Sequence, residues 1–321
     1  MKDTYEREID YMRLSITDRC NLRCRYCMPD GIELLPRDEI LTLDEIELIC
    51  KEAAALGIHK LKITGGEPLV RKDCVSLVHS LKRITGITQV TLTTNGVLLP
   101  DYAGDLRKAG IDGINVSLDT LDQEKYREIT GFDALPAVLN GIIQSLELGI
   151  RVKVNAVLQR DMNEEEWKPI ARLAATYPLD VRFIEMMPIG HGKSYETIAN
   201  TVVLEKIQEE FGAVIRDESL HGNGPAIYYK IAGFRGSIGF ISAIHGKFCS
   251  QCNRIRLTST GQLKPCLCFG ESISVKEAVR SGDLAKVRRL LEKAIRNKPG
   301  MHQFEQEAAI TEKKDMSQIG G

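Results

Sequence analysis

The sequence predicts an α/β fold, a partial (β/α)₆ TIM-type barrel with a C-terminal cluster-binding extension. Three observations carry this. Short β-rich runs alternate with amphipathic stretches through the first 190 residues. A loop dense in cysteine follows the first of these runs. After Pro188 the alternation stops, and a second group of cysteines comes later. Serial βα units in which each connection is long enough for a helix give a parallel sheet with right-handed crossovers.

The strand candidates are Tyr11–Thr17, Lys60–Thr64, Gln89–Thr94, Gly113–Leu118, Arg151–Leu158 and Asp180–Met186. Between them Thr42–Leu56, Arg71–Ile84, Asp133–Leu148 and Glu164–Thr176 have helical periodicity. The first of these opens on Thr42 and Glu45, a Thr-x-x-Glu capping box. In the remainder, Gly190–Gly192 lies in a small-residue linker and Thr201–Phe211 reads as a helix. Ala226–Ala232 and Gly236–Ile241 read as a β-hairpin turning near Gly233–Arg235, and Val275–Ile295 as one long helical stretch. The expected division is a barrel over 1–190 and a second unit over 191–321.

Lys+Arg number 43 and Asp+Glu 44, a formal net charge of −1. A chain-wide polyanion footprint is absent, so nucleic acid is not expected as a partner, whereas a local basic pocket for a small anion is compatible with this balance. The first eleven residues are polar and lack the apolar core of a signal peptide, and no apolar run has the length of a membrane span. The expectation is a cytoplasmic protein away from the membrane. There are nine cysteines. An odd number without a secretion signal argues against a disulfide framework, and their clustering argues for metal ligation.

Cys20-x₃-Cys24-x₂-Cys27 follows the first strand, and in a parallel barrel the loops after strand C-termini build the active face. Three thiolates leave one position of a metal site open, as catalysis requires; a structural zinc site would need a fourth ligand, for which His59 or His79 is available. Gly65-Gly66-Glu67-Pro68 follows the second strand, where glycine permits close backbone approach and Glu67 can accept from an ammonium. Thr93 and Ser117 lie near the ends of the third and fourth strands, Lys153 and Asn155 share one face of the fifth, and Arg182 and Met187 belong to the sixth. Cys249-x₂-Cys252-x₁₃-Cys266 forms the second group, with Cys268 as an extra thiol, and a zinc ribbon is the competing reading. Arg254 and Arg256 then fall on one side of an extended segment, and guanidinium forks suit phosphate oxygens. Cys50 and Cys74 read as buried, inert thiols.

The Cys20–Cys27 spacing with Tyr26 before the third cysteine, followed by Gly65-Gly66-Glu67-Pro68, resembles the radical S-adenosylmethionine (SAM) family. That resemblance implies a [4Fe–4S] cluster on Cys20, Cys24 and Cys27, with SAM chelated to the open iron and contacted by Tyr26, Gly66, Ser117 and Met187. The resemblance narrows at the far end. Phe248-Cys-Ser-Gln-Cys-Asn-Arg-Ile-Arg-Leu-Thr258, Gly261 and Cys266, together with Arg13–Cys20, Arg182–Met187 and Ile319-Gly-Gly321, are similar to the GTP 3′,8-cyclases of molybdenum-cofactor biosynthesis. It implies a second [4Fe–4S] cluster on Cys249, Cys252 and Cys266. It also implies a GTP site formed by Arg13, Lys62, Thr93, Lys153, Arg254, Ile255 and Arg256, with Arg13, Arg254 and Arg256 taking part in catalysis, and an Ile-Gly-Gly end inserted near the substrate. The implied reaction begins with hydrogen abstraction at ribose C3′ by a 5′-deoxyadenosyl radical. Bond formation to guanine C8 follows, giving 3′,8-cyclo-7,8-dihydro-GTP. Lys62 stands where the family leads one to expect arginine, which keeps the charge and loses the fork. A homodimer is the oligomeric expectation, and the electron donor is unknown. The rival readings are a peptide-modifying radical SAM enzyme with auxiliary clusters and a non-enzymatic zinc protein.

Overall fold

The period-2 patterning of the strands has one cause: each strand turns an apolar row outward to the helices and a polar row inward to a cavity. A computed structural model describes residues 1–31 and 35–320. The βα units run β1 (Tyr11–Ser15), α1 (Leu43–Ala55), β2 (Lys60–Thr64), α2 (Cys74–Lys82), β3 (Gln89–Thr94), α3 (Leu99–Lys108) and β4 (Gly113–Ser117). They continue with α4 (Gln123–Thr130), α5 (Leu135–Glu147), β5 (Val152–Ala156), α6 (Trp167–Thr176) and β6 (Asp180–Ile184). Leu61 and Ile63 of β2 and Val90 and Leu92 of β3 are buried in the core beneath the helices, while Lys62 and Thr91 point into the cavity. The capping box of α1 is formed: Glu45 N donates to Thr42 Oγ1 at 3.1 Å and Thr42 N to Glu45 Oε2 at 2.7 Å.

The rest of the chain is α7 (Asn200–Phe211), β7 (Val214–Asp217), β8 (Ile227–Ile231), β9 (Ile238–Ile241), β10 (Arg254–Leu257), β11 (Gln262–Lys264), β12 (Ile273–Ser274), α8 (Lys276–Arg280), α9 (Leu284–Arg296) and α10 (Met316–Ile319). The expected hairpin is the antiparallel pair β8–β9. The expected single helix over Val275–Ile295 is two. Gly282 takes φ +74°, and the Asp283 side chain accepts from Lys286 N at 2.8 Å, so Gly282 stops one helix and Asp283 caps the next.

Residues after 190 do not build a sheet of their own among the described residues. The strand order is β12-β11-β10-β1-β2-β3-β4-β5-β6-β9-β8-β7, with β10 parallel to β1 and β9 parallel to β6. The C-terminal region therefore widens the barrel sheet at both edges and sets Arg254-Ile-Arg256 beside the first strand. No helix among the described residues is long and apolar enough to cross a membrane.

The segment after Ile310 returns to the barrel, pinned by an ion pair between Lys264 and Glu312, whose side chains are each 3% exposed. Glu312 Oε1 also accepts from the backbone N–H groups of Lys313 and Lys314. Glu312→Ala would leave a buried ammonium without its counterion. The expected loss is about 3–5 kcal/mol of unfolding free energy, and denaturant unfolding of Glu312→Ala beside Lys264→Met/Glu312→Leu checks it. The double variant should recover most of the loss.

Candidate active site

A cavity of about 620 Å³ is lined by the inward rows of the parallel strands and by the loops that follow them. Both cysteine groups reach it. Cys20, Cys24 and Cys27 come from the loop after β1, and Cys249, Cys252 and Cys266 come from the segments flanking β10 and β11. Cys266 and Cys268 are placed differently. Cys266 lines the cavity, whereas Cys268 is fully buried in a small apolar cluster with Ile189, Phe304 and Ile319, its sulfur accepting from Gln303 N at 3.5 Å. Cys50 and Cys74 are buried in the main core, as expected. Among the described residues no three His, Cys, Asp or Glu side chains converge as they would around a single ion.

The first cysteine loop is fastened on two sides. Arg23 N and Arg25 N donate to the carbonyls of Thr130 and Ile129, at 2.8 and 3.0 Å. Gly66 N donates to Thr17 O at 2.8 Å and Glu67 N to Arg19 O at 2.7 Å. A Cβ at Gly66 would sit 2.4 Å from Arg19 O and 2.6 Å from Asp18 O, so only glycine lets the two loops touch. Glu67 itself departs from expectation. It is fully buried and its carboxylate accepts from Asn95 N (2.6 Å), Thr94 Oγ1 (2.8 Å) and Leu69 N (3.0 Å). Burial holds its pKa up at about 7. It braces the loops after β2 and β3 and does not line the cavity.

Burial pushes all three thiols of the first group up, Cys27 to about 12. Such thiols ionise when a metal replaces the proton. The surroundings are prepared for that: Leu22 N and Asn95 Nδ2 donate to the Cys20 sulfur at 3.4 and 3.7 Å. Three soft donors with N–H···S support suit an iron–sulfur cluster. The second group differs. Burial raises Cys252, but the charges of Arg254 and Lys298 outweigh it and bring the thiol down to about 7.

Between the two groups the sheet register builds a cationic row. Arg13 of β1 stands beside Arg256 of β10 on one side and Lys62 of β2 on the other. Neighbouring strands are only about 4.8 Å apart, so three cations adjoin. Arg182, Lys153 and Arg254 face the same space. Burial and these neighbours hold the Lys62 ammonium well below its ordinary range and Arg256 at about 9. Arg254 lies over the rings of Phe248 and Tyr11, at 5.5 and 5.9 Å, with its Nε buried and without a hydrogen-bond partner. Lys153 is partnered by Asp180 (2.9 Å), Tyr228 Oη (2.9 Å) and the His221 carbonyl. Arg182 donates to Asn155 at 2.8 Å.

Thr93, Tyr26, Gly66, Ser117 and Met187 line the cavity as expected. The Tyr26 hydroxyl donates to Asp119 Oδ2 at 2.6 Å, fixing the cysteine loop to the end of β4. Met187 lies beyond β6, which ends at Ile184 and not at Met186 as expected. Ile255 does not fit its assignment: its side chain is fully buried in the core, on the opposite side of β10 from Arg254 and Arg256, and it does not line the cavity. Sequence reasoning missed Arg7 and Lys298. Arg7 donates to the carbonyls of Cys249 (2.7 Å), Pro299 (2.7 Å) and Gly300 (3.1 Å), and no local spacing signals such long-range contacts.

The terminal segment enters the same space. Gly320 O accepts from Arg256 at 2.6 Å and Ile319 is buried, whereas Gly321 lies outside the described residues.

A parallel barrel sheet with a three-cysteine loop after its first strand, braced by a glycine pair after its second, defines a radical SAM protein, and residues 14–174 match the family model described as the Radical SAM superfamily. Residues 179–304 match the model described as Molybdenum Cofactor Synthesis C. Curated relatives named GTP 3′,8-cyclase align over the full length of both chains. That of Clostridium perfringens is 43% identical over 323 residues, and that of Pelotomaculum thermopropionicum 44% over 327. The chain belongs to the GTP 3′,8-cyclase family of radical SAM enzymes. Among solved structures, Streptococcus suis SuiB bound to S-adenosylmethionine is similar in fold. Its TM-score is 0.66 at 14% identity, over 97% of this chain and 78% of that one. Family membership implies a [4Fe–4S] cluster and SAM.

Proposed function

We propose that this protein converts GTP to 3′,8-cyclo-7,8-dihydro-GTP, an early step of molybdenum-cofactor biosynthesis, and that it carries two [4Fe–4S] clusters. One observation carries the reading: a row of cations, with Arg256 buried, lines a single cavity together with two three-cysteine groups. Like charges in register repel one another, and a nucleoside triphosphate is an anion that would offset that repulsion. A peptide substrate gives this row no purpose.

Residues 1–190 supply the SAM site and part of the GTP site, and residues 191–321 the second cluster and the GTP-binding segment with Arg254 and Arg256. Cys20, Cys24 and Cys27 would hold the first cluster, with Tyr26, Gly66, Ser117 and Met187 around SAM. The chemistry such a cluster would supply with SAM bound is a 5′-deoxyadenosyl radical, and this hard chemistry is the cofactor's. Cys249, Cys252 and Cys266 would hold the second cluster. Arg13, Lys62, Thr93, Lys153, Arg254 and Arg256 bind and orient GTP between the two. The buried sheet face keeps bulk water from a reactive ribose. Anaerobic reconstitution followed by incubation with GTP, SAM and a reductant tests this. Cyclised nucleotide is the expected product, and SAM cleavage without any GTP-derived product overturns the substrate.

The terminal segment is placed to steer the outcome. Gly320 has φ +78°, and a Cβ there would meet Ser15 Cβ at 2.9 Å and Thr64 Oγ1 at 3.0 Å. Gly320→Val should push the segment out and release Arg256. Iron content and SAM binding should stay near normal while cyclised GTP falls by about tenfold or more, a loss of one charge-assisted hydrogen bond. Product analysis by chromatography checks this, and unchanged cyclisation would remove the segment from the mechanism.

A further inference from the structure

Lys298 follows α9 and is 3% exposed, with its Nζ turned into the cavity wall. Its ammonium donates to the carbonyl of Pro265, the residue before Cys266, at 2.8 Å. Among the described residues no carboxylate pairs with it. Cys249, Cys252, Cys266 and Arg254 line the same cavity as Lys298, and the charges of Arg254 and Lys298 both favour the Cys252 thiolate. A buried ammonium with one neutral acceptor and no carboxylate is expensive unless an anion lies beside it. The anion these surroundings supply is thiolate sulfur.

We propose that Lys298 is a positioning and charge-compensating residue of the second iron–sulfur site, holding the Cys266 loop through Pro265 while offsetting the negative charge of the cluster and its thiolates. The proposal rests on the two-cluster reading. Its consequence is electrochemical. Each electron added to a cluster makes it more negative, so a fixed cation nearby favours the reduced form and raises the potential. The first group is served differently: the exposed Arg23 donates to the carbonyls of Cys20 and Leu22 at 3.0 and 2.8 Å, and among the described residues no buried lysine donates to that loop. Lys298 thus makes the two clusters electronically unequal, with the second easier to reduce than its thiolate set alone would allow.

The test is a redox titration of the reconstituted enzyme followed by electron paramagnetic resonance. The second cluster is identified as the signal lost in Cys266→Ala. Lys298→Met and Lys298→Gln should shift that signal to more negative potential by about tenfold in the reduction equilibrium, or about 59 mV for one electron, with the first cluster unmoved. Lys298→Arg should stay near wild type. Failure of Met and Gln variants to retain the second cluster, with Arg retaining it, is the same result in stronger form. An unmoved potential at full iron content would overturn the proposal. So would Arg behaving like Met, or a weakened GTP affinity with no change in potential. A wild-type protein with only about four irons would instead overturn the two-cluster reading.

Discussion

Cys24→Ala is expected to form no detectable 5′-deoxyadenosine with SAM and reductant in excess, while keeping its fold. The loss should be complete because two thiolates cannot retain a cluster that three are built to hold. The fold should survive because what Cys24 gives its loop is backbone: its carbonyl accepts from Cys27 N at 3.0 Å and Met28 N at 2.9 Å, and alanine keeps both bonds. The flanking bonds from Arg23 and Arg25 to the end of α4 are likewise main-chain. About half of the iron, that of the second cluster, should remain. Chromatographic assay of 5′-deoxyadenosine with iron quantitation decides the matter, and retained SAM cleavage would refute the assignment of this loop.

The Arg254→Ala/Arg256→Ala variant should keep both clusters and lose GTP turnover by about a hundredfold or more. Charge-assisted bonds to phosphate contribute roughly 1.5–3 kcal/mol each, and about 1.4 kcal/mol corresponds to tenfold. The sign of the stability change separates binding from scaffolding. Arg256 adjoins Arg13, which adjoins Lys62, and repulsion among the cavity's cations lowers the Lys62 and Arg256 pKa values beyond what burial does. Removing two of the cations should relieve that repulsion, so the melting temperature of the ligand-free protein should hold or rise as GTP affinity falls. Calorimetric GTP binding and thermal unfolding on the same preparation read both. Unchanged cyclisation would sink the role given to the pair.

Much of the barrel was legible because its signals are local. Lys60–Thr64 and Gln89–Thr94 form strands over the residues expected, and the Thr42–Glu45 capping box forms with both bonds. Helix ends went less well where one turn interrupts a continuous pattern: apolar periodicity runs through 275–295, and Ser281-Gly282-Asp283 cuts it. Glu67 was misplaced for a different reason. Its motif position is local, but whether its carboxylate meets a ligand or Thr94 and Asn95 depends on how two loops pack.

The sequence by itself determined the chemistry-bearing residues: the two cysteine groups, the glycine pair, and the arginines at alternate positions of an extended segment. Spacing along a short stretch constrains what those residues can reach together, so these features need no tertiary knowledge. Only the tertiary structure decided which of them share one cavity and in what order. β10 joins β1 across more than 230 residues of intervening chain, and that register sets Arg256, Arg13 and Lys62 side by side. The same docking leaves Cys266 at the cavity and Cys268 in an apolar cluster, turns Ile255 into the core, and brings Arg7 and Lys298 to the second cysteine loop. Pairing between distant strands is chosen by the burial of whole faces, a global balance that no local pattern contains.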